Sequence, residues 1–562
     1  MTGAAATRTA KVWLAGRKAP GSQAIRMTAL AGTGVVLFTL VQFGCMAWLA
    51  HALLIESRSL ASQLPAIILG LSAIGLRATC QALQGHFAAS ASDSIRSLVR
   101  QDLAKQWQQR GPVGLAGVSA GTLTTEWLDQ VDALHGYYAR FLPQLTICMT
   151  GPLLILLVVA SMDWLAALFL LLSAPLIPLF MALVGMGAER LNQQHMATLA
   201  RLSGLFLDRV RGITTLQLFG ATAQGQRDIA AGTEAYRLIN LKTLRIAFLS
   251  SAVLEFFSSV AIAVVAIYVG FGLLGYIDYG PASELTLFTG LFILMLAPEF
   301  FQPLRQLAQH YHDRAAALGA AAELDKRLTE TAITSEQGRP VPQQATYASI
   351  AVHLDNASFR YPGASQAALE QVTLQVHPGE MIGLSGPSGS GKSTLLAALA
   401  GFISPTAGQV IVMGQPAGAV PVGWLGQQPF LMHGSWADNL QLVNPGASEA
   451  DMLNALRQVG LENHVTARPA GLQSAISERG QGLSGGQARR LALARLLLAH
   501  YPVVLMDEPT AGLDQDTEAV ILQTINALRD QGAALVIASH HPSLLAACDR
   551  VLHVHKGRVQ DA

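Results

Sequence analysis

The chain has 562 residues, of which 51% are hydrophobic and only 13% charged, and its formal net charge is +1. An ordinary soluble domain carries roughly 25% charged residues, so this deficit points to a membrane protein with room for two or three domains. The near-neutral balance gives no polybasic case for nucleic acid, and none is expected as a partner. The four cysteines, Cys45, Cys80, Cys148 and Cys548, are scattered without metal-ligand spacing and read as free thiols.

Residues 1–26 hold Arg8, Lys11, Arg17, Lys18 and Arg26 and no acid. The run 27–55 that follows lacks Asp, Glu, Lys and Arg, and exceeds the ~20 residues that cross a bilayer. It is far too long for the apolar core of a cleavable signal, about 7–15 residues. Further spans are expected at 64–89, within 141–162, within 164–188, at 246–274 and at 285–303, six in all. Asp163 is the one formal charge between the third and fourth.

Arg96, Arg100, Lys105, Arg110 and Arg140 lie between spans two and three. Arg190, Arg201, Arg209, Arg211, Arg227, Arg237, Lys242 and Arg245 lie between spans four and five, whereas the three opposite loops carry a single Arg58. The excess of basic residues places the two long segments, both termini and the second half of the chain in the cytoplasm. The long segments have helical spacing and read as extensions of the spans. Their tips, near 122–132 and 214–225, are expected to meet the second half.

Arg77, Glu255 and Glu299 fall within spans, where ionisable groups are costly, so each is a functional candidate. The alternatives are that the two acids only fix helix packing and that Arg77 snorkels to the interface. Just beyond the sixth span stand Tyr311 and His312, with His86 at the inner end of the second. Such a His, Tyr and Arg grouping suits an anionic ring or a haem iron, although a helical His is more often a surface residue.

Residues 329–348 are rich in Thr, Ser, Gln and Pro and read as a linker. The chain thus divides into a membrane domain (1–328), this linker, and an α/β domain (349–562) in which short apolar runs alternate with helical ones. Within the last, 386–394 reads Gly-Pro-Ser-Gly-Ser-Gly-Lys-Ser-Thr, a phosphate-binding loop between an apolar strand and a helix. Gly386, Gly389 and Gly391 let backbone N–H groups close on phosphate, alongside Ser388, Ser390 and Thr394. Lys392 is placed to reach the β- and γ-phosphates, and Ser393 to hold Mg²⁺.

Other motifs follow in an order that one ATPase class requires. Tyr361 can stack on adenine or simply pack. Gln427 can reach Mg²⁺ or the attacking water, with Gln428 as its alternative by one position. Ser484, Gly485, Gly486 and Gln487 open a helix and form a second phosphate-binding turn. The apolar strand 503–506 ends in Asp507, suited to Mg²⁺, and Glu508, suited to polarise the water. Asp514 comes next, and a further strand delivers His540 near the γ-phosphate. Two phosphate-grasping elements about 90 residues apart suggest that a second copy completes each site.

With these motifs the chain resembles an ABC transporter of the exporter type along essentially its whole length. That resemblance implies an α-helical six-span transmembrane domain fused to an α/β P-loop ATPase that uses ATP and Mg²⁺. It gives Tyr361 the A-loop role, 386–394 Walker A, Gln427 the Q-loop, 483–487 the signature, Asp507 and Glu508 Walker B and the catalytic base, Asp514 the D-loop, and His540 the switch. The membrane half is similar to CydD-type half-transporters at 135–144 (His-Gly-Tyr-Tyr-Ala-Arg-Phe-Leu-Pro-Gln), 174–187, 247–257 and 297–305. This implies a bacterial inner-membrane heterodimer with a CydC-like partner, moving cysteine, glutathione or haem in support of cytochrome bd assembly. Arg77, His86, Tyr311 and His312 are then candidates for substrate or haem contact. A homodimeric exporter of lipids or drugs, or an ATP-switched assembly factor, is the competing expectation.

Overall fold

The structure, a computed structural model, describes residues 3–116, 118, 120–175, 198, 201–277, 279–329, 350–361, 364–476 and 483–561. The chain separates into two compact units, one of 1–104 with 118–330, the other of 105–117 with 331–562. All but the first residue of the expected linker lies outside the described residues, as does the second half of the expected fourth span.

The first unit is helical. Its elements are α1 (Gly3–Gly16), α2 (Ser22–Leu54), α3 (Leu64–Gly114), α4 (Leu142–Met162), α5 (Trp164–Ser173), α6 (Thr222–Leu273) and α7 (Leu287–Thr329). Among the described residues five helices are long and apolar enough to cross a membrane, and α5 is a shorter apolar one. In hydrocarbon each backbone N–H and C=O must bond within its own segment, so these apolar runs are helices. Leu296, Phe300 and Phe301 of α7 are buried among Ile155 and Val159 of α4 and Val265 and Val269 of α6.

Polar contacts then pin chosen points. Asp163, 1% exposed, caps α5 by accepting from the Leu165 and Ala166 N–H groups at 2.9 Å, and also accepts from the Tyr268 hydroxyl at 2.8 Å. The Gln144 amide donates to the Pro303 carbonyl at 2.9 Å. Glu255 meets Arg305 at 3.2 Å, an ion pair between α6 and α7. The Glu299 side chain, on α7, has no hydrogen bond or ion pair to another described residue.

The second unit is built on two main sheets, beside a short antiparallel pair of β7 (Gly434–Ser435) and β8 (Ala475–Ile476). Strands β1 (Val352–Phe359), β2 (Leu369–Val376), β4 (Ala407–Val412) and β5 (Gln415–Pro416) form an antiparallel sheet in the order β2-β1-β4-β5. Strands β3 (Met381–Ser385), β6 (Gly423–Leu425), β9 (Val503–Asp507), β10 (Ala534–Ala538), β11 (Arg550–His555) and β12 (Arg558–Asp561) form the other. Its order is β12-β11-β3-β10-β9-β6, parallel except for β12. Strands β9 and β10 are buried at every residue, which is why they read as unbroken apolar runs.

Register places the site. Ala538 lies beside both Leu384 and Asp507, and Leu425 beside Met506. The turns that follow β3, β6, β9 and β10 therefore emerge together at the carboxyl edge of the sheet, where open α/β sheets bind ligands.

Candidate nucleotide site

The phosphate loop runs from β3 into α8 (Lys392–Leu399). Gly386 has φ +145° and an added Cβ would stand 2.2 Å from the Val554 carbonyl oxygen; Gly389, at φ +78°, faces open space. Only glycine suits the first, and the second leaves the loop concavity clear. Lys392 Nζ donates to the Gly386 and Pro387 carbonyls at 2.7 and 3.0 Å, which curls the lysine over its own loop. Ser390 is 6% exposed, yet among the described residues its Oγ has no hydrogen-bond partner, an orphan that a phosphate oxygen would satisfy. Ser388 is exposed, and Thr394 Oγ1 lies 3.1 Å from the Tyr361 hydroxyl, so the expected adenine aromatic stands beside α8.

Asp507 ends β9 almost fully buried. Burial pushes its carboxyl above the usual range, while a hydrogen bond with Ser393 pulls the other way. Ser393 and Asp507 are thus already in contact and fit a shared Mg²⁺. Glu508 has φ +54°, a left-handed backbone that is unusual for a non-glycine residue and a mark of over-determined sites. Its N–H donates to Ala538 at 2.9 Å, and its carboxylate lies 2.7 Å from His540 Nδ1. The structure brings Lys392, Ser393, Asp507, Glu508 and His540 to one edge. Gln427 follows β6 at the same edge; the side chains of Gln427 and Gln428 are both exposed.

The second phosphate-binding turn opens α9 (Gly485–Ala499). Ser484 caps it by accepting from the Gln487 N–H, and the Gln487 side chain accepts from the Ser484 N–H, a reciprocal capping box. A Cβ at Gly485 would meet nothing within 4 Å. Asp514 caps α10 (Gln515–Asp530) through the Thr517 N–H at 2.8 Å, and that bond holds its carboxyl below the usual range.

Sequence reasoning passed over Arg489. It is 9% exposed and donates to the Ala511 carbonyl at 2.7 Å and the Gln427 carbonyl at 3.0 Å. Its one signal in the sequence is a charge on the same helical face as the buried Leu493 and Leu496. Asp163 was noticed only as a loop charge, and nothing local in the sequence announces its pairing with Tyr268.

The haem candidates are less assembled. Tyr311 carries the Arg314 guanidinium 5.0 Å from its ring centre, His312 is exposed, His86 lies edge-on to Phe87, and Arg77 donates to Gln42 at 3.1 Å. Among the described residues no contact joins His86 or Arg77 to Tyr311 or His312, and none forms a group of three metal ligands.

Comparison with known proteins bears on both halves of the chain. The ABC transporter family profile matches residues 369–511, and the ABC transporter transmembrane region matches 54–298. The glutathione/L-cysteine transport system ATP-binding/permease protein CydD of Escherichia coli is 39% identical over 88% of this chain and 85% of its own length. CydD of Haemophilus influenzae is 34% identical over 97% and 94%. The chain is an ABC transporter of the CydD-like half-transporter type. The transport ATP-binding protein AarD of Providencia stuartii, 35% identical over 93% of the chain, is a further relative. The fold of this half-transporter matches a bacterial Atm1-family ABC exporter with ATP bound, at TM-score 0.76 and 19% identity over 96% of the chain and 94% of that structure. As an ABC exporter subunit it is a membrane protein whose ATPase domain binds and hydrolyses ATP to drive transport.

Proposed function

We propose that this chain is one half of a heterodimer in the bacterial inner membrane that uses ATP to move glutathione or cysteine, its ATPase domain lying in the cytoplasm and its partner resembling CydC. The observation that carries the substrate reading is near-full-length similarity to two proteins named as glutathione/L-cysteine transport CydD. A relative named CydC, 29% identical over 94% of the chain, supports the partner class. The basic residues of the long inner segments support the orientation. Proteins named as lipid A-core flippases are more distant, at 26–27% identity, so a lipid exporter is the weaker reading.

In this reading the loop 386–394 cradles the ATP phosphates, with Lys392 leaving its own carbonyls for the β- and γ-phosphates. Tyr361 stands for the adenine. Ser393, Asp507 and Gln427 would hold Mg²⁺, which neutralises phosphate charge when bound. Glu508 accepts a proton from the attacking water, and His540, whose Nδ1 stands 2.7 Å from the carboxylate, faces the γ-phosphate. Ser484, Gly485, Gly486 and Gln487 cover the nucleotide held by the partner, and Asp514 lies along the seam. Closure of the two ATPase domains on two ATP molecules is passed to the spans, and hydrolysis reopens them.

Haem, which the family resemblance also raises, gains no assembled donor set from Arg77, His86, Tyr311 and His312, and no step runs through it. The complex purified with its partner should show ATPase stimulation by glutathione or cysteine. Stimulation by lipid alone, or purification as a single chain, would overturn this reading. Stimulation by haem that His312→Ala removes would restore haem as a ligand.

A further inference from the structure

The turn carrying Gln427 and the turn carrying Glu508 leave neighbouring parallel strands, since Leu425 of β6 lies beside Met506 of β9. The second turn is closed by the Ala511 N–H donating to the Glu508 carbonyl at 3.3 Å. Arg489, one turn into α9, reaches both. One arm of its guanidinium donates to Ala511, at the far end of the Glu508 turn, and the other to the Gln427 carbonyl. A second contact ties the same elements: a Cβ on Gly486 would stand 3.2 Å from Leu513 and 3.5 Å from Thr517, so the start of α9 lies directly against the residues flanking Asp514.

From this we infer that Arg489 is a positioning residue, a strut that makes the signature helix, the Gln427 turn and the Glu508 turn move as one piece. The inference rests on the nucleotide-site reading above and adds to it the link between the phosphate site a chain owns and the signature it offers to its partner.

A guanidinium fits this task because its planar fork presents two donors at a fixed angle to two separate carbonyls. Burial works against its charge and lowers the guanidinium pKa, a shift that the Glu508 carboxylate partly opposes. Two backbone carbonyls on different turns are gripped at once, so shifting either turn breaks a charge-assisted bond inside the domain. Glu508 already sits in a left-handed backbone, a conformation that persists only where its surroundings hold it.

The test uses the full two-chain complex with Arg489→Lys, which keeps the charge but loses the fork, and Arg489→Gln, which can reach one carbonyl only. ATP turnover, its KM and direct binding of a fluorescent ATP analogue are measured. The expected result is a fall in kcat of about 10- to 100-fold, the scale of a misplacement near 1 Å, with KM and binding within about twofold. Unchanged kcat in both variants would overturn the inference. So would a parallel loss of turnover and nucleotide binding, which would make Arg489 a mere prop for the fold. Glu508→Gln is the control: if it leaves turnover intact, the site reading fails rather than the strut.

Discussion

The two units hold their polar groups in opposite ways. In the ATPase unit much of the chemistry is set by adjacent residues: loop glycines with positive φ, the capping box of Ser484 with Gln487, and paired acids at the end of a buried strand, to which strand pairing adds contacts such as Glu508 with His540. In the membrane unit the polar contacts join residues far apart in the chain, such as Asp163 with Tyr268, Gln144 with Pro303 and Arg305 with Glu255. The first kind of contact survives drift in the surrounding sequence, because backbone geometry demands it. The second depends on how helices pack.

Stability should expose this difference most strongly at Asp163. Replacing it with Ala removes a helix cap, about 1 kcal/mol, and leaves the buried Tyr268 hydroxyl unpartnered, about 1–3 kcal/mol. A loss of roughly 2–4 kcal/mol is expected by thermal unfolding of the complex in detergent. Asp163→Asn keeps the cap through its amide oxygen and turns its NH₂ group to the Tyr268 hydroxyl oxygen, which can accept, so it should recover most of the loss. Equal melting for Ala and wild type would mean that this long-range contact does not anchor the membrane unit as its geometry implies.

A smaller effect is expected at Tyr361, whose contact in the ATPase unit is local to the site. Tyr361→Ala should raise the KM for ATP about tenfold, the scale of one aromatic contact, while Tyr361→Phe keeps the ring and stays within about threefold. If Phe and Ala behave alike, the hydroxyl contact with Thr394, rather than the ring, is what the site uses.

The same contrast explains what could be read from residues alone. The phosphate loop, the signature turn and the Asp507-Glu508 pair carry their geometry in adjacent residues, so the site was legible before any fold was known. Register could not be read: that Ala538 lies beside both Leu384 and Asp507, which brings His540 to Glu508, is a property of strand pairing. Arg489 was missed for a related reason, since both of its partners are backbone carbonyls, which have no signature in sequence. In the membrane half, apolar length marked the spans, and five long apolar helices are among the described residues. The pairing of Glu255 with Arg305 needed α6 and α7 side by side. His86, Tyr311 and His312 looked related only because all three are haem-ligand types near the inner ends of spans.

In the proposed function, hydrolysis at Glu508 drives thiols across the membrane. Vesicles holding the two-chain complex, with the partner's site silenced, should accumulate labelled glutathione or cysteine only with ATP. Glu508→Gln should cut both turnover and accumulation by about 10²-fold or more while ATP still binds. Accumulation that continues undiminished in Glu508→Gln would contradict the account.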